Sequence, residues 1–487
     1  MVKNLLHIIS TLWSKLTNSE QRNELLTKEV SSLNSELELL KSRIKVLEGQ
    51  KNKNSRNSSK PPSTDRKRKK GKKVVKNSRE KSNRPTGGQK GNKGSTLEQV
   101  SDPKYIELHK ATFCECGTDV SQEPIVKIEK RQVFEMEQPE IAVTEYQVEV
   151  KICPICEKIV KGVFPQGVTA PVQYGPKVKG AILDLNIHHF LSYERINIFF
   201  KDWFGQTISG GLIYDSIKKA HKILQQDYRT NLVNALLRQK ILHGDETGLY
   251  YEGKRYWLHV LSTSKLTLFH AHKTRGSEAI EEMGVLPLFK GRVIHDNYKS
   301  YGIYQDCKHG LCNAHHLREL LYFEEEEQAL WAYHLGLFLR SVNSDIKQHK
   351  LLGHTELPAQ DLIAYRQRYI QILQTGYEQL PSGPPRKSNK GRPPKHPQHN
   401  LLDRFTDKEE FILAFMYDFD VPFDNNQAER DLRMVKTKQK VSGCFRSELG
   451  AQSFASIRGY ISTSRKNSIA VLEALTNLMR GVPDMPF

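Results

Sequence analysis

Three acidic residues lie at positions where a carboxylate contributes little to the packing of an apolar core. Asp245 and Asp296 each end a strand-like segment, at residues 241–245 and 291–296, and Glu429 lies in a predicted helix. Carboxylates are ligands that Mg²⁺ prefers. Two such ions about 4 Å apart clamp the attacking and departing oxygens of an in-line displacement at phosphorus. These acids are therefore candidates for metal-dependent chemistry on a phosphodiester.

A plainer interpretation stands beside this one. The chain has 55 acidic residues, so an Asp, Asp, Glu set can be chosen in many ways. An Asp at a strand end often forms a turn, and Glu429 is spaced to pair with Arg433 one helical turn later. Glu246, Asp424 and Asp431 are nearby rivals for the same role.

The elements that must position the acids read as a mixed α/β core. Segment 241–245, which leads into Tyr250-Tyr251, and segments 256–261 and 266–270 predict a three-stranded antiparallel meander, and residues 277–283 predict a short helix. The fourth strand, at 291–296, can lie beside the first and bring Asp245 and Asp296 together. The helix that carries Glu429 spans 424–436, opened by an Asp424 and Gln427 capping pattern. A helical insertion at about 320–420, with a basic, Pro-rich loop at 384–395, separates that helix from the strands.

Residues 166–238 are predicted to be helical. Helices at 179–190, 193–204 and 212–224 are separated by Gly205 and by Ser209-Gly210-Gly211. A helix, a glycine turn and a second helix are typical of a helix-turn-helix that reads the major groove of DNA. Any three-helix bundle produces the same pattern.

Four of the seven cysteines fall in two pairs within residues 101–165. They are Cys114, Cys116, Cys153 and Cys156. Two pairs about 35 residues apart, separated by predicted strands at 125–128 and 141–150, predict a small ribbon held by tetrahedral Zn²⁺. Four ordinary cysteines in a reducing compartment are the alternative. An odd total in a long chain argues against a disulfide framework.

The N-terminus predicts a coiled-coil helix over residues 1–48. Apolar residues alternate steps of four and three, which keeps one seam toward a partner helix; they are Leu5, Ile9, Leu12, Leu16, Leu26, Val30, Leu33, Leu37, Leu40, Ile44 and Leu47. Self-association into a homo-oligomer is the favoured interpretation. Packing on the chain's own core is the alternative.

Residues 49–100 form a basic linker. From Lys51 to Lys93 there are 17 Lys and Arg against Asp65 and Glu80, which is most of the net charge of +19. This composition predicts disorder and non-specific binding to the phosphates of double-stranded DNA. The chain offers no apolar run long enough for a membrane span and no signal-peptide pattern, so a cytoplasmic, nucleoid-associated protein is expected.

Five motifs, in order, resemble the IS66 family of insertion-sequence transposases over nearly the whole chain. The first is the linker motif, made of the two runs Asn57-Ser58-Ser59-Lys60-Pro61-Pro62-Ser63 and Gly87-Gly88-Gln89-Lys90-Gly91-Asn92-Lys93-Gly94. The other four are His243-Gly244-Asp245-Glu246-Thr247, Asp296-Asn297-Tyr298, Cys312-Asn313-Ala314-His315-His316-Leu317-Arg318-Glu319-Leu320, and Asp424-Asn425-Asn426-Gln427-Ala428-Glu429-Arg430-Asp431-Leu432-Arg433. The zinc motif departs from the family, because Cys114 stands one position later than in the family's usual Cys-x-x-Cys-Gly.

The resemblance implies a ribonuclease-H-like catalytic core and a DDE mechanism, in which Asp245, Asp296 and Glu429 hold Mg²⁺ or Mn²⁺. Cleavage at the ends of the element is then followed by attack of the freed 3′-hydroxyl on target DNA. It also implies possible small accessory proteins encoded by the same element. A different nuclease on the same core, or a non-catalytic DNA-binding protein derived from a transposase, are the alternatives.

Basic residues beside the acids are candidate DNA contacts: His315, Arg318, Arg430, Arg433 and Lys436. For His315 a buried structural role is an equal alternative, and for the helix residues a solvated surface is the alternative. The expected domains are a coiled coil at 1–48, a linker at 49–100, a zinc ribbon at 101–165, a helix-turn-helix-like region at 166–238, a catalytic domain at 239–475 and a tail at 476–487.

Overall fold

The computed structural model describes residues 2–54, 57–58, 91, 97–380 and 395–487. These residues form two compact units. One contains Ala170–Ile196, Ser209–Phe487 and the N-terminal helix, and the other contains residues 97–169 and Asn197–Ile208. Most of the basic linker, which is predicted to be disordered, and most of the Pro-rich loop lie outside the described residues.

The N-terminal helix, α1, spans Val2–Asn52, so the predicted N-terminal helix is present. Its apolar seam faces solvent in the single chain, with Leu12, Leu16 and Leu33 exposed by 60%, 53% and 58%. Although α1 is long, no helix of the described chain has the sustained hydropathy that a bilayer span requires.

Within the second unit, β1 (Val150–Ile152) and β2 (Ile159–Lys161) form an antiparallel hairpin. The predicted strands at 125–128 and 141–150 are wrong except at the start of β1, because no neighbouring strand pairs with them. Their apolar side chains remain exposed, for example Val126 at 99%.

A run of helices precedes the sheet. They are α2 (Pro176–Leu183), α3 (Tyr193–Phe204), α4 (Gly210–Ile223) and α5 (Arg229–Leu237), with single π-helical turns at Asp184–His188 and Leu224–Tyr228. The predicted helix at 193–204 is confirmed. Ser209 begins α4, since its hydroxyl accepts the Leu212 N–H at 3.1 Å. The helix predicted at 179–190 starts earlier, because Pro176 fits the first helical position.

Five strands form the central sheet. They are β3 (Ile241–Tyr251), β4 (Lys254–Ser262), β5 (Thr267–His272), β6 (Arg292–His295) and β7 (Lys308–Leu311), with α6 (Ser277–Met283) between β5 and β6. The order across the sheet is β5-β4-β3-β6-β7. Strands β3, β4 and β5 are antiparallel, as predicted, and β6 and β7 continue the sheet parallel to β3. The mixed α/β core is therefore present.

The helical insertion after β7 comprises α7 (Asn313–Glu327), α8 (Leu330–Leu351), α9 (Ala359–Glu378), α10 (Pro397–Asp407), α11 (Glu409–Ile412) and α12 (Ala414–Tyr417). It has an apolar core of its own, in which Trp331, Leu335 and Leu402 are buried. Ile294 of β6 and Leu311 of β7 belong to the same cluster. This cluster anchors the insertion to the edge of the sheet.

Three helices complete the chain: α13 (Asn426–Ser442), α14 (Glu448–Lys466) and α15 (Val471–Arg480). A second apolar core joins α13–α15 to β3–β5 and to α2, α4 and α5. The last helix packs against α2, where Gly180 lies directly over Thr476. The segment predicted as a tail, 476–487, thus begins inside a packed helix, and Phe487 contacts the core.

Candidate active site

Asp245 lies in the middle of β3, opposite Val260 of β4. The prediction that Asp245 ends its strand is therefore wrong, because pairing with β4 continues to Tyr251. What ends near Asp245 is the pairing with β6, which stops at His243. Beyond His243 the edge of β3 that faces β6 is therefore unpaired, and Asp245 lies on this unpaired part of the strand. One of its oxygens, Oδ1, accepts the Glu246 N–H at 2.8 Å.

Asp296 directly follows β6, as predicted. Its Oδ1 accepts the Tyr298 N–H at 3.0 Å. Asn297, between them, has φ of 74°, a left-handed conformation that Asn tolerates better than most residues. The His295 ring stabilises this turn, since its Nδ1 accepts the Asn297 N–H at 3.2 Å and its Nε2 contacts His309 Nδ1 at 3.1 Å. This support fixes where the Asp296 carboxylate points.

The carboxylates of Asp245, Glu246 and Asp296 offer oxygens that lie within 4.8 Å of one another. Burial raises the pKa of Asp245 well above its usual value, and the charges of Glu246, Asp296 and Glu429 raise it further. Burial and the charge of Asp296 also raise the pKa of Glu246, to about 7. A buried group of like charges is unfavourable without a cation. The arrangement therefore suits a bound metal ion.

Glu246 differs from the other two acids because it has a cationic partner. Arg275 contacts its Oε1 at 2.7 Å through both Nε and Nη2, and the Tyr301 hydroxyl donates to Oε2 at 3.2 Å. The Arg275 guanidinium also stacks on Tyr298, 4.1 Å from the ring centroid. Arg275 thereby joins β3 to the turn that carries Asp296.

Gly244 makes room for this arrangement. A Cβ atom at this position would lie 2.8 Å from Cε1 of Tyr301, closer than non-bonded atoms approach. Glycine is therefore required here so that the Tyr301 ring can lie against β3 beside Asp245 and reach Glu246.

Glu429 lies in the first turn of α13 and faces α7. Its Oε1 is 3.7 Å from His315 Nδ1, and its Oε2 is 3.9 Å from Arg318 Nη2. Among the described residues, neither Glu429 Oε1 nor His315 Nδ1 has a hydrogen-bond partner, although both atoms are buried. The i, i+4 pairing of Glu429 with Arg433, considered from sequence, is not formed.

Asn425 fastens the start of α13 to the sheet. Its side-chain amide donates to the Gly244 carbonyl at 2.8 Å, and its Oδ1 contacts His243 Nδ1 at 2.9 Å. Its backbone N–H donates to Cys312 Sγ at 3.1 Å. One buried residue thus connects β3, α7 and α13, and it brings Glu429 to the strand that carries Asp245.

Two of the rival acids have other partners. The Asp431 carboxylate contacts Lys466 Nζ at 2.8 Å and accepts from Gln427. Asp424 Oδ1 accepts the Asn426 N–H at 3.0 Å, as a turn-forming Asp does. The predicted capping pattern is wrong, because Gln427 bonds forward to Asp431 and the helix begins at Asn426. Glu246 is the rival that does belong to the site.

The predicted DNA-contact residues fall into two groups. His315 and Arg318 face Glu429 inside the site. Arg430 and Arg433 are exposed on α13, and Arg430 donates to Gln427 at 2.9 Å. Lys436 donates to the Gly248 carbonyl at 2.7 Å, so it fastens α13 to β3 while its side chain remains largely exposed.

The four paired cysteines lie in two similar turns. The Gly117 N–H donates to the Cys114 carbonyl at 2.8 Å, and the Glu157 N–H donates to that of Cys153 at 2.9 Å. Gly117 and Glu157 both have positive φ, 89° and 55°. None of the groups of converging metal donors in the described ranges contains a paired cysteine, so the zinc site stays a prediction. Each turn nevertheless presents its two thiols locally.

The chemistry of the central donors fits divalent metal ions. Asp245 and Asp296 supply hard oxygen ligands, and Glu429 supplies a carboxylate oxygen that is buried without a partner. Sequence patterns missed Arg275, Tyr301 and Asn425, because their roles depend on contacts between distant elements. The adjacency of Glu246 to Asp245 was the one available signal, and it marked Glu246 only as a rival.

Comparison with known families accounts for most of the chain. A family model described as the transposase IS66 family matches residues 171–453, and one described as a family of unknown function (DUF6444) matches residues 8–98. No curated protein matches. The first match covers more than half of the chain and includes β3, β6, α7 and α13, the elements that carry the site. The chain therefore belongs to the IS66 family of transposases.

Proposed function

We propose that this protein is a DDE transposase that binds the ends of its insertion element and catalyses metal-dependent cleavage and strand transfer of double-stranded DNA. Asp245, Asp296 and Glu429 are its catalytic acids. The observation that carries this proposal is geometric: Asp245 and Asp296 offer oxygens within 4.8 Å of each other, and Asn425 joins the start of the helix that carries Glu429 to β3 beside them.

A ribonuclease-H-like core is part of the proposal. It is supported by the mixed sheet, in which an antiparallel meander of β3, β4 and β5 is extended by parallel β6 and β7. Asp245 lies on β3, Asp296 directly follows β6, and Glu429 lies on α13, the helix that follows the insertion. Sites at the ends of neighbouring parallel strands are common in α/β folds.

Asp245 and Asp296 would hold one Mg²⁺ or Mn²⁺ ion, and Glu429 would complete the site for a second. When bound, such ions activate the attacking oxygen and neutralise charge on the leaving oxygen. The residues of the chain do the positioning. Arg275 and Tyr301 hold Glu246 beside the ion-binding acids, and Asn425 keeps Glu429 at β3.

DNA is held by basic residues around this centre. Arg430 and Arg433, exposed on α13 next to Glu429, are suited to contact backbone phosphates. Helices α3 and α4, separated by Gly205, would form the helix-turn-helix-like reader of the element's ends. The basic linker would add non-specific affinity through counterion release. Acting on chromosomal DNA would place the protein at the bacterial nucleoid.

The remaining parts support assembly. The exposed seam of α1, with Leu26, Leu37 and Leu40 at 49–51% exposure, would pair with α1 of a second copy. Zn²⁺ bound by Cys114, Cys116, Cys153 and Cys156 would hold the second unit. The pairing of α1 rests on its heptad pattern and exposed seam, and the zinc site rests on the spacing of the four cysteines. Accessory proteins of the element would be further partners.

The decisive experiment uses a duplex that carries an end of the element, incubated with the full chain and Mg²⁺ or Mn²⁺. We expect cleavage by the wild type and a loss of at least about 10³-fold for Asp296→Asn, since an electrostatic contribution of this kind is worth several kcal/mol. Asp306→Asn is the matched control, because Asp306 forms only an exposed ion pair with Lys290.

Equal cleavage by the wild type and Asp296→Asn would contradict the assignment of the acids. Binding without cleavage by every variant, including the wild type, would favour the non-catalytic alternative. No observation in the site supports that alternative over the enzyme.

A further inference from the structure

The strongest unexplained feature of the site is a pair of buried polar atoms that face each other without a hydrogen bond. His315 Nδ1 and Glu429 Oε1 are 3.7 Å apart, which exceeds hydrogen-bonding distance. Leaving two buried polar atoms unpaired costs about 1–3 kcal/mol each. A shared partner between them would remove that cost.

The geometry points to a metal ion as that partner. Two ligands bound at about 2.1 Å to one ion lie about 3.0–3.5 Å apart for bond angles between a right angle and the tetrahedral angle. The observed 3.7 Å is within a few tenths of an ångström of that span. A third donor residue is near, since Cys312 Sγ lies within 4.8 Å of a ring nitrogen of His315 and a carboxylate oxygen of Glu429.

The surrounding contacts hold the two ligands in place. His315 lies in the first turn of α7 and Glu429 in the first turn of α13, and Asn425 links the beginnings of both helices. Arg318 faces the other carboxylate oxygen, Oε2, and so leaves Oε1 toward His315. Cys312 is buried and its Sγ already accepts the Asn425 N–H at 3.1 Å, so it is not assigned as a ligand.

We infer that His315 is a metal ligand, together with Glu429, and that this half of the active site selects first-row transition ions such as Mn²⁺ over Mg²⁺. Imidazole nitrogen suits transition ions, whereas Mg²⁺ strongly prefers oxygen. The half formed by Asp245 and Asp296 offers only oxygen and carries no such preference. The two metal positions are therefore chemically unequal. This inference rests on the proposed function for the roles of the acids.

The test is pulsed electron paramagnetic resonance of Mn²⁺ bound to the full-length protein without DNA and without added Zn²⁺, because Zn²⁺ would compete with Mn²⁺ for an imidazole-containing site. We expect nitrogen modulation from a directly bound histidine, which changes when the histidines are labelled with ¹⁵N. His315→Gln should remove this modulation and weaken Mn²⁺ binding at one position by about tenfold or more, with a smaller effect on Mg²⁺. His334→Gln, an exposed histidine on α8, is the matched control and should leave both unchanged.

Absence of nitrogen modulation in the wild type would overturn the inference whether or not His315→Gln folds. Modulation that persists in folded His315→Gln would overturn it as well. Because no DNA is present, the result is separate from the cleavage assay. Loss of cleavage in Asp296→Asn with no nitrogen ligand would leave the proposed function standing and this inference refuted.

Discussion

The central sheet and the cysteine-bearing segment at 97–169 differ in how much apolar surface they bury. In the sheet, Leu242, Leu258 and Val293 are fully buried. In segment 97–169 none of the described residues is buried, and Ile155 is 93% exposed. Burial of apolar surface is the main force that stabilises a fold. The sheet can fold by this force, whereas the segment needs another source of free energy.

The largest expected effect is therefore removal of zinc. Binding to a structural site contributes about 10–16 kcal/mol in small zinc domains. We expect one Zn²⁺ per chain in mass spectrometry, and rapid proteolysis within 97–169 after chelation or in Cys156→Ser. The sheet unit should stay resistant.

The matched control is Cys444→Ser, an exposed cysteine outside the two pairs. It should retain both the zinc and the resistance to proteolysis. Equal protease resistance of the segment with and without zinc would mean that something other than a metal stabilises it, and the contrast between the two regions would fail.

Single substitutions in the two regions should change the free energy of unfolding by different amounts, and this effect is smaller than that of zinc removal. Leu258→Ala in β4 should lower the free energy of unfolding by about 2–5 kcal/mol, because it removes a fully buried side chain and leaves a cavity. Val126→Ala, at a side chain that is 99% exposed, should change it by less than about 0.5 kcal/mol. Thermal unfolding of the zinc-loaded protein measures both. A large effect of Val126→Ala would show that the segment buries this side chain against a partner.

The smallest expected effect is the pH dependence of Mg²⁺ binding and of the proton release that accompanies it. Burial holds the pKa of Asp245 above its usual value and raises that of Glu246 to about 7, so the metal-free site retains protons near neutral pH. A metal ion requires the carboxylates and displaces those protons. Mg²⁺ should therefore bind more weakly at pH 6 than at pH 8 and release more protons at pH 6.

Calorimetric titration in buffers of different ionisation enthalpy measures this release. Asp245→Asn should release fewer protons than the wild type, while Asp306→Asn should behave as the wild type does. Proton release that is the same at both pH values would contradict the raised pKa values.

At the cysteine turns the pKa shift has the opposite sign, since hydrogen bonds, chiefly from Thr118, lower the pKa of Cys116 to about 7.

Local patterns predicted much of the fold. The heptad spacing indicated α1, the helix at 193–204 matched α3, and alternating apolar residues indicated the antiparallel meander. Such patterns report burial of one face of an element, which depends on neighbouring residues. The strands predicted at 125–128 and 141–150 failed for the same reason, since an apolar run becomes a strand only where another strand pairs with it.

The sequence by itself determined the family, through five ordered motifs, and the candidates Asp245, Asp296 and Glu429. Only the tertiary structure decided how they meet. It placed Asp245 within a strand at the point where pairing with β6 ends, and it joined Glu429 to that strand through Asn425. The contact between Asn425 and Gly244 joins residues separated by 181 positions, and the packing of α13 against β3 and β4, rather than any spacing along the chain, places Glu429 near the other acids.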